Sequence, residues 1–315
     1  MKKIKVGVIG VGSLGQHHAR VFAELAGARL VGVADVDRAR AVAIAGRHAC
    51  RAVTDYHELL PDVEAVSVVT PTLLHHVIAR ACLAAGRHVL VEKPLAATVA
   101  EARDLVAAAA DRGVTLQVGH IERFNAAFRA TRGAIKEPTL IECRRWAPFT
   151  PRGADVDVVL DLMVHDLDLV LGLISAPVRE IQASGVSILS ATTDVAQARV
   201  VFQNGCVATF SANRVAESKL REVRILQPEG YVVIDLAQQT ASVGRRTMGT
   251  SGRYEVLTEQ VRGDGREPLK LELEAFLDAV RNGAQPLVSG REGAAALELA
   301  YAIINAIGTH SHHHG

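Results

Sequence analysis

The residues best suited to chemistry fall in three places along the chain. Near the start, Gly10-x-Gly12-x-x-Gly15 follows the apolar run Val6–Ile9 and opens a helix-period segment, and Asp35 closes the next apolar run 20 residues after Gly15. In that setting the first glycine permits a tight turn, the second admits a pyrophosphate to the backbone, and the third lets the helix lie close to the strand. Ser13 and Leu14 sit where helix N-terminal N–H groups face the anion. Asp35 can accept hydrogen bonds from both hydroxyls of an adenosine ribose and repels a 2′-phosphate, so the expected cofactor is NAD rather than NADP. Val36 beside it supplies no compensating cation, and Arg38 is the residue placed to overturn that preference.

Two further groups are polar residues set against apolar backgrounds. Thr70-Pro71-Thr72 with His75, and Glu92-Lys93-Pro94, each stand just after an apolar run, where an open α/β sheet gathers its ligands, so they are expected on the nicotinamide half of a dinucleotide. Asp157, Asp161, His165 and Asp168 recur at i, i+4, i+8 and i+11, along one face of a segment whose other positions are almost all apolar. Such a stripe on a buried helix must face partners or a cavity. An imidazole titrating near neutral pH suits removal of a hydroxyl proton. Helix caps, domain-interface ion pairs or a metal site are the competing uses, and Asp166 and Asp168 are expected to serve structure.

The elements that position these groups read as an α/β fold: a Rossmann doubly wound parallel sheet followed by an α+β domain on a large, mainly antiparallel sheet. Ile4–Ile9, Arg29–Asp35, Ala65–Val69, His88–Val91 and Thr115–Val118 have the Val/Ile density of buried parallel strands, and Leu14–Leu25, Arg38–Arg47, Leu73–Ala85 and Val99–Asp111 alternate with them as helices. Beyond Gly119 come a helix at Ile121–Ile135, a strand at Thr139–Trp146, a loop from Pro148 to Gly153 and an apolar helix at Val156–Leu173. Successive β runs then fill Val178 to about Leu257, with turn signals such as Asn204-Gly205 favouring antiparallel pairing. Helices at Leu269–Arg281 and Arg291–Ile307 follow, the last expected to lie against the first domain. The division is residues 1–120 for NAD and 121–315 for substrate and oligomerisation. Lys plus Arg number 35 and Asp plus Glu 34, giving a net charge of +1 and no basic field for nucleic acid. No apolar stretch reaches a bilayer span and no cleavable signal is visible, so the expected compartment is cytoplasmic. Cys50, Cys82, Cys143 and Cys206 lack metal-ligand spacing, so neither zinc nor a disulfide is expected, and the run from His310 to His314 reads as a tail.

With the glycine turn, the Thr70-Pro71-Thr72 and His75 group and Glu92-Lys93-Pro94 in place, the chain resembles the glucose–fructose oxidoreductase / inositol dehydrogenase (Gfo/Idh/MocA) family of sugar dehydrogenases over nearly its whole length. The resemblance implies that Lys93 lies beside the nicotinamide and the substrate hydroxyl, that Glu92 holds the turn, and that Pro94 follows a cis peptide bond. It implies that Asp161 and His165 lie at the substrate, with His165 as general base or Lys93 in its place.

A narrower likeness rests on His120-Ile121-Glu122-Arg123-Phe124-Asn125, the loop from Ala147 to Gly153, the run Asp161 to Asp168, and Gln227-Pro228 beside Tyr231. These runs look like the subgroup that oxidises the 3-hydroxyl of UDP-N-acetylglucosamine on the way to a lipid A diamino sugar. Arg123 and Arg152 are the candidates to grip the UDP, because a guanidinium donates two parallel bonds to a diphosphate; ordinary salt bridges are the alternative. The resemblance further implies an aminotransferase partner for the labile 3-keto product and a homodimer or homotetramer built through the C-terminal sheet. UDP-N-acetylglucosaminuronic acid or a free polyol such as inositol are the alternative substrates. A non-catalytic dinucleotide sensor is the alternative function, against which the presence of both Lys93 and His165 counts.

Overall fold

The computed structural model describes residues 2–150 and 156–311. Residues 151–155, and with them Arg152, lie outside the described residues, as do residues 312–315 of the His-rich end. The chain forms two compact units, one of residues 1–121 and 267–294, the other of residues 122–266 and 295–315.

The first unit begins with β1 (Ile4–Ile9), α1 (Gly15–Glu24), β2 (Ala28–Ala34), α2 (Arg38–His48), β3 (Arg51–Val53), β4 (Ala65–Val68), α3 (His75–Ala84), β5 (His88–Glu92), α4 (Val99–Arg112) and β6 (Leu116–Gly119). All six strands are parallel, in the order β3-β2-β1-β4-β5-β6. Parallel strands covered by helices are buried on both faces, and Val6, Val8, Val66, Val68, Val89, Leu90 and Val91 are all fully buried. Local chemistry sets the helix ends. Thr98 and Glu101 form a reciprocal capping box that starts α4, and Gly113, at φ +62°, ends it in the left-handed conformation that glycine adopts without strain. The chain order reverses between β1 and β4, and the crevice at the carboxyl ends of those two strands is where such sheets bind ligands.

The second unit contains α5 (Ala126–Thr131), β7 (Leu140–Trp146), a π-helical turn over Val159–Met163 that runs into α6 (Val164–Leu171), and the strands β8 (Val178–Val186), β9 (Val195–Phe202), β10 (Val207–Asn213), β11 (Leu220–Gln227), β12 (Gly230–Asp235), β13 (Thr240–Met248) and β14 (Tyr254–Arg262). They form one eight-stranded sheet, β14-β13-β12-β11-β7-β10-β9-β8, antiparallel throughout except for β7 with β10. Alternation sorts the two faces. In β9, Ala196, Ala198, Val200 and Phe202 are buried while Gln197 and Arg199 are exposed. The buried face carries Ile141, Cys143, Phe210, Val223, Ile225, Val232 and Ile234, packed with Val158, Val159, Met163 and Leu167.

After β14 the chain returns to the first unit as α7 (Pro268–Asn282), which has proline in its first turn and Gly283 at φ +62° beyond its last. Its Leu269, Leu273, Phe276 and Leu277 share a core with Val21, Phe22 and Leu25. The last helix, α8 (Gly290–Ser311), starts in the first unit, but Leu299, Ala300, Ile303 and Ile307 belong to the core of the second. The element that closes the nucleotide-type unit is therefore α7, not the final helix as expected. Hydrophobic spacing marks both as amphipathic without saying which core each joins. Among the described residues, no helix is long and apolar enough to cross a membrane.

Candidate active site

The glycine turn follows β1 as its spacing requires. Gly10 has φ +83°, and a Cβ there would collide with the Val69 carbonyl and Thr70 at the end of β4, so only glycine fits. A Cβ on Gly15 would overlap the Gly10 carbonyl, whereas one on Gly12 would meet nothing within 4 Å. The middle glycine thus faces open space just ahead of α1, whose N-cap residue Leu14 gives no side-chain cap. That is the cradle an approaching pyrophosphate needs. Across the crevice, Thr70 Oγ1 is buried with no hydrogen-bond partner among the described residues. An unsatisfied buried hydroxyl is costly and fits a ligand that supplies the missing partner. On both counts this unit fits the dinucleotide.

Asp35 directly follows β2 and is buried. Its Oδ2 accepts the Val11 N–H (2.9 Å), its Oδ1 accepts the Asp37 N–H (2.9 Å), and Arg40 Nη1 reaches both oxygens at 3.2 and 3.3 Å. The cation beside the carboxylate is therefore Arg40, not Arg38. Two residues of separation on a helix turn a position through about half a circle, so Arg38 and Arg40 stand on opposite sides of α2. Arg40 is half-exposed and can yield its place to a ribose.

Lys93 follows β5, and its bond to Pro94 is cis. The residues on both sides of it are tied to buried histidines. Glu92 Oε1 is 3.1 Å from His18 Nε2, and Glu92 Oε2 accepts the Lys93 backbone N–H at 3.1 Å. The Pro94 carbonyl is 2.8 Å from His75 Nδ1, whose Nε2 is 2.8 Å from the Thr70 carbonyl. His75 was expected to touch the cofactor. Both its ring nitrogens are instead engaged by backbone, so it braces the turn after β4 against the turn after β5. Burial pushes the His75 ring towards its neutral form, against the pull of the two carbonyls. Glu92 is held as an anion: burial disfavours the charge, but the hydrogen bonds from His18 and from the Lys93 N–H outweigh it.

In the second unit, Asp161 lies in the π-helical turn and His165 in the first turn of α6, both half-buried. Single π turns occur often at functional sites. Asp157 caps the turn by accepting the Val159 N–H (2.8 Å), so it serves the backbone. Asp166 and Asp168 are structural as expected, and each owns an arginine. Arg145 donates through Nε and Nη2 to Asp166 (3.1 and 2.7 Å) and through Nη1 to Glu122 (2.8 Å). Arg123 donates to the Asp168 carboxylate through Nε (2.6 Å) and Nη2 (3.1 Å) and to the Asp168 carbonyl (2.8 Å). Arg123, expected to hold a diphosphate, is thus a buried anchor of α6, since its fork is spent on a bidentate carboxylate. Burial raises the Asp166 carboxyl against the pull of Arg145.

Sequence reasoning did not single out Arg145, Arg40 or His18. Only His18 carried a signal, as a polar residue on the apolar face of α1 beside Ala19, Val21 and Phe22.

Comparison with known proteins places this geometry. Residues 4–120 match the oxidoreductase family with an NAD-binding Rossmann fold, and residues 106–233 match the GFO/IDH/MocA C-terminal domain. The chain is 38% identical to UDP-N-acetylglucosamine 3-dehydrogenase of Acidithiobacillus ferrooxidans, covering 96% of this chain and 98% of that one. A solved structure of that enzyme superposes with a TM-score of 0.93 at 37% identity, covering 98% and 99% of the two chains. Myo-inositol 2-dehydrogenase of Thermotoga maritima is 28% identical over 95% of each. With both of its halves matched, this protein belongs to the Gfo/Idh/MocA family of NAD-binding oxidoreductases.

Proposed function

We propose that the chain oxidises the 3-hydroxyl of UDP-N-acetylglucosamine to the 3-keto sugar nucleotide, using NAD. The observation that carries the substrate is the 38% identity, over 96% of this chain, to an enzyme of that specificity. The open side of Gly12, Asp35 and the buried Thr70 hydroxyl are the features we assign to holding NAD. The chemistry that NAD supplies when bound is acceptance of the hydride that leaves C3.

What remains for the protein is to take a proton and orient a hydroxyl. His165 takes the C3 hydroxyl proton on an imidazole nitrogen as the C–H bond breaks, and Asp161, one turn earlier, orients the ring or grips a sugar hydroxyl. Lys93 Nζ donates to the same hydroxyl oxygen and stabilises the negative charge that grows there. With Arg123 committed to Asp168, Arg152 is the remaining arginine proposed for the diphosphate.

The ketone product calls for an aminotransferase as the next enzyme, and a reaction that draws on NAD and a nucleotide sugar fits a cytoplasmic location. The outer face of the sheet, with Tyr254 and Val256 exposed on β14, is the surface we assign to a homodimer or homotetramer. Light scattering that shows only monomer at micromolar concentration would refute that assembly.

The test of the function is absorbance at the NADH band on mixing the protein with NAD and a panel of substrates. Growth is expected with UDP-N-acetylglucosamine. Growth only with UDP-N-acetylglucosaminuronic acid or with a free polyol would replace the substrate, and no growth with any would leave a dinucleotide sensor.

A further inference from the structure

Behind the lysine turn runs a buried chain of polar side chains that the reaction itself does not use. Ser67 lies in β4 between Val66 and Val68, and all three are fully buried. Its Oγ is 2.9 Å from His18 Nδ1, and His18 Nε2 is 3.1 Å from Glu92 Oε1. His18 is 2% exposed and stands on the apolar face of α1. Burying a hydroxyl and an imidazole in a valine- and phenylalanine-rich core is unfavourable unless they are paired, and two apolar side chains of similar shape would serve packing equally well. The polar pair therefore has a use outside the core, and the chain of bonds ends at one place.

The donor and acceptor count shows what the chain specifies. A carboxylate only accepts, so His18 Nε2 must carry a hydrogen towards Glu92, while the Ser67 hydroxyl, which can donate or accept, pairs with Nδ1. Glu92 thereby selects which ring nitrogen carries the hydrogen it accepts, and the Ser67 hydroxyl keeps the other nitrogen paired inside the core. The far oxygen of Glu92 accepts the backbone N–H of Lys93. The remaining side of the carboxyl is closed by Gly119 of β6, where a Cβ would stand 3.0 Å from Glu92 Cδ. Glu92 is thus held by a side chain, a backbone donor and a close backbone wall, leaving it one position. On the other flank, His75 fixes the Pro94 carbonyl.

We propose that His18 is a positioning residue for Lys93: through Glu92 it fixes the peptide from which the lysine side chain projects, with Ser67 holding the far side of the ring. The proposal rests on the reading that Lys93 acts on the substrate hydroxyl. A misplacement of the order of 1 Å at such a group can cost about a hundredfold in rate.

The experiment compares His18→Asn and His18→Gln with the parent. Asparagine reaches only the Nδ1 level and loses Glu92, whereas glutamine places an amide N–H near Nε2 and keeps it. His18→Asn should lower kcat by roughly 10- to 100-fold with the Kd for NADH, read by its fluorescence without substrate, changed less than about twofold. His18→Gln should recover most of that rate. In a Glu92→Gln background, His18→Asn should add little, because the two act in series. Ser67→Ala, the mildest change, should lower kcat in the same direction and by less.

A second readout does not depend on turnover. Trace acetylation of the full-length protein, read by mass spectrometry, should change in rate at Lys93 in His18→Asn and in Glu92→Gln alike, with Lys136 unchanged as an internal reference. Equal losses in the Asn and Gln variants accompanied by an equal loss of NADH affinity, additive effects of His18→Asn and Glu92→Gln, or an unchanged acetylation rate at Lys93 would each overturn the proposal. Full activity in Lys93→Ala would instead remove Lys93 from the chemistry, while the acetylation result would still decide whether His18 positions it.

Discussion

Replacing Arg145 with methionine should be among the most damaging single changes in the second unit. The guanidinium is 3% exposed and is shared by two carboxylates that are themselves nearly buried, Asp166 at 2.7 Å and Glu122 at 2.8 Å. Among the described residues, the other cation paired with them is Arg221, half-exposed and 3.7 Å from Glu122. Methionine fills much of the volume, so the loss is electrostatic rather than a cavity. Removing one partner of a buried ion pair costs about 3–5 kcal/mol, and here one removal strands two carboxylates. Proton uptake limits the damage. The Asp166 carboxyl is already raised by burial with Arg145 present, so without the arginine it is the group that takes a proton. We therefore expect a loss of about 4 kcal/mol near pH 7.5, equivalent to a fall of roughly 8–16 °C in the Tm of a unit of this size. A carboxyl raised in the folded state binds more protons folded than unfolded, so lowering the pH stabilises the variant relative to the parent. Calorimetric melts at pH 7.5 and 5.5 test both parts. A loss under about 1 kcal/mol at pH 7.5 would show that the network is not the anchor described, and a deficit that widens at pH 5.5 would refute the proton argument.

Gly12→Val should leave the Tm nearly unchanged while abolishing NADH binding in a fluorescence titration, because a side chain there meets open space; Gly15→Ala, which meets the Gly10 carbonyl, should instead lower the Tm by several degrees. Asp35→Ser should favour NADP in the ratio of kcat/KM values, because the repulsion on a 2′-phosphate is lifted and Arg40, which keeps Asp37 on Nη2, has its Nη1 released towards it; adding Arg40→Ala should cancel the gain, and an unchanged ratio in the single variant would mean that Asp35 does not face the ribose. His165→Asn should lower turnover by roughly 10²–10⁴-fold with substrate affinity much less affected; unchanged specific activity with a lower Tm would move the base assignment to Lys93. Burial lowers the pKa of His75 and His88, so each binds fewer protons folded than unfolded, and the first unit should lose stability as the pH drops below the unfolded imidazole value of about 6.5. Melts between pH 7.5 and 5 should show a shallower decline in His88→Gln.

The nucleotide-type half was legible because its signals are local. Strand density, the three glycines and Asp35 fall within a stretch short enough for spacing to dictate geometry, and the lysine turn follows from its place after β5. The parts that were not legible depend on partners far along the chain. Arg123 and Arg145 are similar residues in sequence, yet one is spent on Asp168, 45 residues away, and the other on Asp166 and Glu122. Nothing in either neighbourhood distinguishes a buried anchor from a ligand-binding arginine. The π turn escaped because an i, i+4 stripe fits both an α-helix and a helix with one widened turn, so the polar stripe through Asp161 and His165 was legible while the widened turn at Val159–Met163 was not. The short β3, Arg51–Val53, lies at the sheet edge, where three residues carry no periodicity.

The return of α7 has a consequence for how the protein is made. On the ribosome, residues 1–121 emerge first, but Leu269, Leu273, Phe276 and Leu277 follow only after the second unit's roughly 145 residues have been synthesised. At about 5–20 residues per second the nascent Rossmann half waits on the order of 10–30 s with Val21, Phe22 and Leu25 lacking their cover. A fragment that stops near residue 121 reproduces that waiting state permanently. Expression of the nucleotide-binding half as an independent piece should therefore succeed only when residues 267–294 are supplied with it, joined by a short linker or added as a separate peptide.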